Sequence, residues 1–180
     1  ASPRSVGRQG RCSAGNRQDD AAPEGRRASA RQIGLRDGRR AKTVMLYLDT
    51  SALAKLYVRE PETPEVRRLV DLSGGLVFTS IVTYAEMLTV LARCRKERRL
   101  AEIAWRAAKR GFLADWRLLH VVGLDERVLA PAEKLIEAHG LRGFDAVHLC
   151  AALWIGSPLF ACFDARLRAA AQSSGLTPVP

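Results

Sequence analysis

Apolar and polar positions alternate with changing period after residue 45 and predict strands that alternate with helices. Short apolar runs such as LYLD and LVFT are typical of strands buried on both faces, and segments with a three-to-four-residue period are typical of amphipathic helices. This order predicts a single α/β domain with a mainly parallel central sheet and helices on both faces. The predicted strands are 46–49, 76–79, 118–122, 159–163 and 177–179. The predicted helices are 51–58, 64–72, 80–95 with Ser80 as N-cap, 100–115, 125–138 between Asp125 and Gly140, 144–154, and 165–172.

Residues 1–44 lack this pattern and contain no Phe, Trp or Tyr. They hold eleven Lys/Arg and four Asp/Glu, which is +7 of the chain's net charge of +10, so the high charge is not a property of the fold. Because such a segment buries little apolar surface, we expect a disordered basic tail over 1–44, followed by one folded domain over 45–180. The first methionine is Met45, so we expect the natural start at or near it; an RNA-binding arm is the alternative.

The remaining composition favours a cytoplasmic protein. The four cysteines show neither a C-x-x-C pair nor zinc-finger spacing, which indicates reduced thiols in a reducing compartment. The apolar stretch 146–163 contains His148 and is broken at Gly156-Ser157-Pro158, so a buried helix and strand fit it better than a membrane span.

Four single acids stand in apolar surroundings and are the candidate catalytic and metal-binding residues. Asp49 and Asp164 end the strand-like runs MLYLD and LFACFD, Glu86 is the only charge in the twelve residues 81–92, and Asp145 is the only acid in 143–162. A buried carboxylate is costly unless it is paired or binds a metal. The carboxyl ends of parallel strands share one edge, where ligands bind, so the four acids are expected in one pocket. An all-oxygen cluster indicates Mg²⁺ or Mn²⁺, which suits phosphodiester hydrolysis.

Each acid also has a purely structural interpretation. Asp49, Asp145 and Asp164 all lie where a helix begins and are suited to capping it. Glu86 lies in mid-helix and has no capping role. The hypothesis of an acidic site therefore depends on the set of four more than on any one of them.

Four blocks of the sequence resemble the PIN-domain ribonucleases, and most of all the VapC-type toxins of toxin–antitoxin pairs. The blocks are LYLDTSALAKLYVREP, TSIVTYAE, LRGFDAVHLCAAL and FACFDARLRAAA, in order between residues 45 and 180. The resemblance implies a magnesium- or manganese-dependent endoribonuclease whose acidic tetrad is Asp49, Glu86, Asp145 and Asp164, with Ser51 supporting the site by hydrogen bonding. It also implies an RNA substrate, a VapB-like antitoxin, and a homodimer. The alternative is a catalytically idle module that binds RNA or the antitoxin.

Several further residues carry open interpretations. Arg142 is either a substrate or acid-orienting contact or a surface arginine, and His148 is expected in a structural role rather than as a ligand. Many relatives have Thr where this chain has Cys162, so the fourth acid is expected to be held less firmly. The basic run 93–99 is expected to be a solvated helix end. The alternative is that it contacts the backbone of RNA. Trp105, Trp116 and Trp154 are expected in the core or at a dimer interface.

Overall fold

A computed structural model describes residues 44–179 and contains a five-stranded sheet in which all neighbouring strands run parallel. The strand order is β3-β2-β1-β4-β5. The sheet is therefore wholly parallel, where the sequence predicted a mainly parallel one. The predicted tail 1–44 lies outside the described residues apart from Val44. The strands are β1 Leu46–Leu48, β2 Val77–Ser80, β3 His120–Val122, β4 Leu159–Ala161 and β5 Thr177–Val179.

Eight helices connect or follow these strands in the described part of the chain, one more than the seven predicted, because the helix expected over 125–138 is divided in two. They are α1 Thr50–Ala54, α2 Thr63–Leu72, α3 Val82–Lys96, α4 Glu102–Asp115, α5 Glu126–Leu129, α6 Ala132–His139, α7 Gly143–Trp154 and α8 Ala165–Ser173. None of the helices within 44–179 combines the length and apolar character needed to cross a membrane.

The sheet separates two apolar cores because the pleat sends successive side chains to opposite faces. In β1, Leu46 and Leu48 join a core with helices α1 to α4, whereas Tyr47 points to the other core, formed mainly with α7 and α8. In β4, Ala161 and Phe160 divide in the same way. Helices on both faces confirm the predicted layers.

The strand order fixes where a site can form. From central β1, the chain builds outward through β2 and β3 on one side, then returns to place β4 and β5 on the other. The order therefore reverses between β1 and β4. A crevice opens at such a point outside the carboxyl ends of the strands, and Asp49 and Asp164 follow those two ends.

Two predicted helix boundaries were wrong. The single helix expected over 125–138 is two helices, because Pro131 lies between α5 and α6 and interrupts helical hydrogen bonding. Ser80 belongs to β2, where it pairs with Val122, and Ile81 is the N-cap residue of α3. By contrast, Asp125 caps α5 and Gly140 ends α6 in the left-handed conformation (φ 60°), as predicted.

Two further differences concern packing. Helix α1 ends at Ala54, and turns replace the helix predicted to Val58. Trp105 and Trp116 pack partly buried against the first core, whereas Trp154 is 54% exposed and lies outside the core.

Candidate active site

Asp49 anchors the site at the end of the central strand. Its backbone N–H donates to the carbonyl of Ala161 in β4 (3.0 Å), which fixes the residue between the two strands at the reversal point. Its side chain is 5% exposed and accepts from the backbone N–H of Ala52 (2.8 Å), so it also caps α1. Burial raises the pKa of Asp49 to about 6, with a smaller contribution from the charge of Glu86, while His148, Ala52 and Ser51 hold it down.

Ser51 connects Asp49 to the loop that carries the last acid. Its hydroxyl donates to the Asp49 carboxylate, at 2.8 Å to Oδ1 and 3.0 Å to Oδ2. The same oxygen accepts from the backbone N–H of Phe163 (2.9 Å), next to Asp164. Ser51 therefore holds the β1 and β4 ends together across the crevice.

Glu86 belongs to a partly buried hydrogen-bonded group whose charge acts on Asp49. Its Oε2 accepts from Thr50 Oγ1 and lies 2.9 Å from Nε2 of His148. Burial raises the pKa of Glu86, but the bonds from His148 and Thr50 outweigh it, and the pKa is lowered overall. Glu86 is thus held ionised with its side chain 27% exposed.

The tautomer of His148 follows from its second partner. Tyr47 Oη lies 3.0 Å from Nδ1, and burial, followed by the charges of Asp49 and Glu86, raises the pKa of Tyr47 well above its ordinary value. The phenol therefore stays protonated, and in the neutral form of His148 it donates to Nδ1 while the ring proton lies on Nε2. Nε2 donates to Glu86 in the neutral and in the protonated imidazole alike. His148 is a positioning residue for this acid.

Asp145 and Asp164 form the more accessible part of the site. Asp145, half-buried in the first turn of α7, has its pKa raised by burial and by the charge of Asp164, while the backbone N–H and charge of Arg142 lower it. Asp164 is exposed and caps α8 by accepting from Leu167 N–H (2.9 Å). Arg142 is the exposed N-cap residue of α7.

Cys162 follows β4 directly and is affected by the charges of both strand-end acids. Its side chain is fully buried, and burial followed by the charges of Asp49 and Asp164 raises its pKa to about 12. The thiol makes one weak contact, from Sγ to the carbonyl oxygen of Asp164 at 3.9 Å. The carboxylate of Asp164 receives no support from Cys162.

The four candidate carboxylates are linked by their charges, since Glu86 acts on Asp49, Asp164 acts on Asp145, and Asp49 and Asp164 both act on Cys162. Within residues 44–179, the structure has no group of three or more His, Cys, Asp or Glu side chains close enough to hold a metal ion. The acids form two subsets instead, Asp49 with Glu86 and Asp145 with Asp164, and each subset has an acid whose pKa is raised by its partner's charge. An all-oxygen set with repelling charges has the donor chemistry that a hard divalent cation requires.

Sequence reasoning missed Tyr47 and Thr50, and it expected a structural role for His148 without identifying its contact with Glu86. Thr50 follows Asp49 directly, and this position next to a candidate acid is the signal that could have identified it. Tyr47 shows no such signal, since its contact spans 101 positions of sequence.

Comparison with known proteins agrees with this architecture. The family described as "PIN domain" matches residues 46–172. Ribonuclease VapC49 of Mycobacterium tuberculosis is 33% identical over 138 residues, which are 76% of this chain and 95% of that protein. Ribonuclease VapC46 of the same species is 35% identical over 133 residues, 73% of this chain and 93% of the relative.

A solved structure supports the fold independently. The crystal structure of PAE2754 from Pyrobaculum aerophilum superposes with a TM-score of 0.52 at 23% identity, covering 77% of this chain and 92% of that one. The family match covers most of the chain, and the relatives align over nearly their whole length. The chain therefore belongs to the PIN domain family and is a VapC-type member of it.

Proposed function

We propose that this protein is a metal-dependent endoribonuclease that hydrolyses RNA phosphodiester bonds and serves as the toxin of a toxin–antitoxin pair. The observation that carries the proposal is that Asp49 and Asp164 follow the ends of the adjacent strands β1 and β4 in a VapC-type chain. The charge of Glu86 acts on Asp49, and the charge of Asp164 acts on Asp145. Relatives aligned over nearly their whole length are named ribonucleases. The RNA substrate and the ribonuclease activity of this chain are proposed from the names of those relatives.

The four acids are proposed to hold Mg²⁺ or Mn²⁺. Asp49 is 5% exposed with its pKa raised to about 6, so its ionised form lacks sufficient compensation from the protein alone. When bound, such a cation polarises a phosphoryl oxygen and lowers the pKa of a coordinated water.

The protein's own residues set the positions of the acids. Ser51 orients both oxygens of Asp49, and Thr50 with His148 fixes one oxygen of Glu86. Oxygens that are already oriented lose less conformational freedom when they coordinate a cation or position a water. Arg142 carries a guanidinium beside Asp145 and is available to contact a phosphate.

The direct test compares matched neutralisations of helix-capping acids. Asp164→Asn removes a proposed ligand, whereas Asp125→Asn neutralises an exposed acid that caps α5 through the N–H groups of Arg127 and Val128. End-labelled RNA is incubated with each variant at increasing Mg²⁺. We expect Asp164→Asn to reduce cleavage by orders of magnitude and Asp125→Asn to leave it unchanged. Equal activity of both variants would remove Asp164 from the site.

The alternative is an idle module that binds RNA or antitoxin without cleaving. The free buried thiol of Cys162, where many relatives have Thr, is the observation that favours it, because Asp164 lacks a hydroxyl partner there. An idle module would bind RNA equally with and without Mg²⁺ and would leave the RNA intact at every metal concentration.

The partners are proposed from the same family membership. A VapB-like antitoxin would inhibit the protein, and the protein would act as a homodimer in the cytoplasm. Large apolar side chains are exposed at Ile103, Phe144 and Trp154, and apolar surface of this kind is available to a partner. Light scattering measures the dimer directly, and a monomer at micromolar concentration would contradict it.

A further inference from the structure

Basic residues are concentrated in one part of the domain, the α3–α4 hairpin between Arg93 and Arg117. This segment has nine Lys/Arg and three Asp/Glu, a net charge of +6. Residues 45–180 carry +3 in total, from eighteen basic and fifteen acidic residues, so everything in them outside the hairpin sums to −3. We call these nine residues the basic hairpin: Arg93, Arg95, Lys96, Arg98, Arg99, Arg106, Lys109, Arg110 and Arg117.

The three acids of the hairpin offset only part of this charge at its surface, where Glu97 and Glu102 are exposed among nine cations. Asp115 is 1% exposed, and Glu102 lies between Arg95 and Arg106 at 2.9 Å from each. None of the nine basic side chains is buried. Within residues 44–179, six of them form no ion pair with a carboxylate: Arg93, Lys96, Arg98, Lys109, Arg110 and Arg117.

Side-chain contacts hold the two helices of the hairpin together. The guanidinium of Arg95 on α3 lies 4.4 Å from the ring centroid of Trp105 on α4 and also pairs with Glu102. Trp105 in turn packs against the first core, so the two helices present their cations from defined positions. A fixed array loses less entropy on binding than flexible side chains on a loop.

Stabilisation of helix ends does not account for the whole array. Cations near a helix C-terminus interact favourably with its dipole, which explains Arg93, Arg95 and Lys96 at the end of α3. Lys109 and Arg110 lie before the last turn of α4, where that effect is weak. A polyanionic partner accounts for both groups.

The hairpin is also within reach of the acidic site. Glu86 and Arg93 lie on the same helix, seven residues apart, and Lys96 follows three residues later. At about 1.5 Å per residue, these cations are ~10–15 Å from Glu86 along the axis, the length of about four nucleotides at ~3.4 Å each.

We propose that the basic hairpin binds the phosphate backbone of RNA on one side of the scissile bond. The inference rests on the proposed ribonuclease function and adds to it a substrate surface separate from the acids. The contacts are to phosphates, so they confer affinity and register without reading sequence. An RNA long enough to reach from the acids to α3 and α4 is therefore the preferred substrate.

The test uses two triple variants of the full chain with the same change in charge. Arg93→Gln, Lys96→Gln and Arg110→Gln remove three exposed cations of the hairpin. The control removes three exposed cations elsewhere, through Arg68→Gln, Arg127→Gln and Lys134→Gln. Melting curves confirm that each variant folds, and Arg93→Lys with Arg110→Lys tests rescue by charge alone.

Binding is measured first, in EDTA, with a labelled RNA of about 20 nucleotides at several salt concentrations. Losing three phosphate contacts should weaken binding about tenfold and reduce the slope of log Kd against log salt by about 2. The control and the lysine variant should bind like the wild type. If the hairpin variant binds like the control, the inference is wrong, and an acidic protein becomes the partner to seek.

Cleavage then separates this inference from the proposed function. The hairpin variant should lose kcat/KM on the long RNA and keep it on a dinucleotide, which cannot extend from the acids to α3. Unchanged kcat/KM on the long RNA overturns the inference while nuclease activity stands. If the wild type cleaves neither RNA, the proposed function fails, yet loss of RNA binding in the hairpin variant would still support the surface.

Discussion

Neutralising Asp49 should stabilise the metal-free protein, and this distinguishes a metal-binding acid from a capping one. In the folded chain, burial raises the pKa of Asp49 from the ordinary value of 3.8 to about 6. The folded state therefore binds a proton more tightly than the unfolded state, and stability falls as pH rises from about 3.8 through about 6. At ~1.4 kcal/mol per pH unit, the full cost above pH 6 is about 3 kcal/mol.

Asp49→Asn removes this cost and keeps the shape of the side chain. Asn serves as an N-cap about as well as Asp, so the bond from Ala52 N–H is retained. We expect the free energy of unfolding near pH 8 to rise by about 1–3 kcal/mol, which corresponds to a melting temperature higher by roughly 3–10 °C. Near pH 4, where the wild-type carboxyl is largely protonated, the two proteins should melt together.

Magnesium should reverse the order of melting temperatures, so that the wild type melts higher than Asp49→Asn. Binding stabilises the wild type by about 2.7 kcal/mol at a hundredfold excess over Kd, and the variant should gain less. Its RNA cleavage should fall by orders of magnitude. Differential scanning calorimetry without and with Mg²⁺ near pH 8 and pH 4 measures these shifts.

Asp125→Asn is the matched control for this experiment. The N–H of Val128 and the Arg127 side chain lower the pKa of Asp125, so its neutralisation should reduce stability near pH 8. The two capping acids should therefore respond in opposite directions. If Asp49→Asn also melted lower than wild type without metal, and still cleaved RNA, the acidic pocket would be excluded.

Three further predictions concern the core, the site and the inhibitor. Asp115 is 1% exposed, and burial raises its pKa to about 6 despite the hydrogen bond from Tyr57. Asp115→Asn should therefore stabilise the protein by up to about 3 kcal/mol near pH 8 and not near pH 4. Equal denaturation midpoints for variant and wild type near pH 8 would contradict this. Cys162→Thr should raise Mg²⁺-dependent cleavage roughly twofold to fivefold by adding a hydroxyl near Asp164, with Cys162→Val as the control that does not. Antitoxin should inhibit more weakly as Mg²⁺ increases, because a cationic antitoxin side chain and the metal would share the acids; inhibition constants that do not change with Mg²⁺ would refute this.

The order of strands and helices could be predicted because each depends on local patterns. The five apolar runs correspond to the five described strands, and their alternation with helices predicted helices on both faces of the sheet. The helix predicted over 125–138 was wrong because its apolar periodicity continues across Pro131, which lacks a backbone N–H and interrupts the helix. Ser80 was misassigned because pairing with Val122 extends β2 by one residue, and no local signal reports that pairing.

The acids were predictable as candidates, whereas their supports were not. A charge that interrupts an apolar run is visible in one sequence, as at Glu86. The bonds from Thr50 and His148 to Glu86 join positions 36 and 62 residues apart, which only the folded chain brings together. The strand order explains this, since β1 is flanked by β2 and β4 and brings their following segments to one edge.

Separating the acids from the cations solves an electrostatic problem that any such ribonuclease has. Four carboxylates repel an RNA phosphate, so under the proposed function a metal ion and the guanidinium of Arg142 have to offset the repulsion unless affinity also comes from elsewhere. The basic hairpin is ~10–15 Å from Glu86 along α3, about one Debye length or more at ~0.1 M salt. Its cations can therefore bind RNA without neutralising the acids. Affinity and chemistry should then respond to different substitutions, with charge loss on the hairpin raising KM and charge loss at the acids lowering kcat.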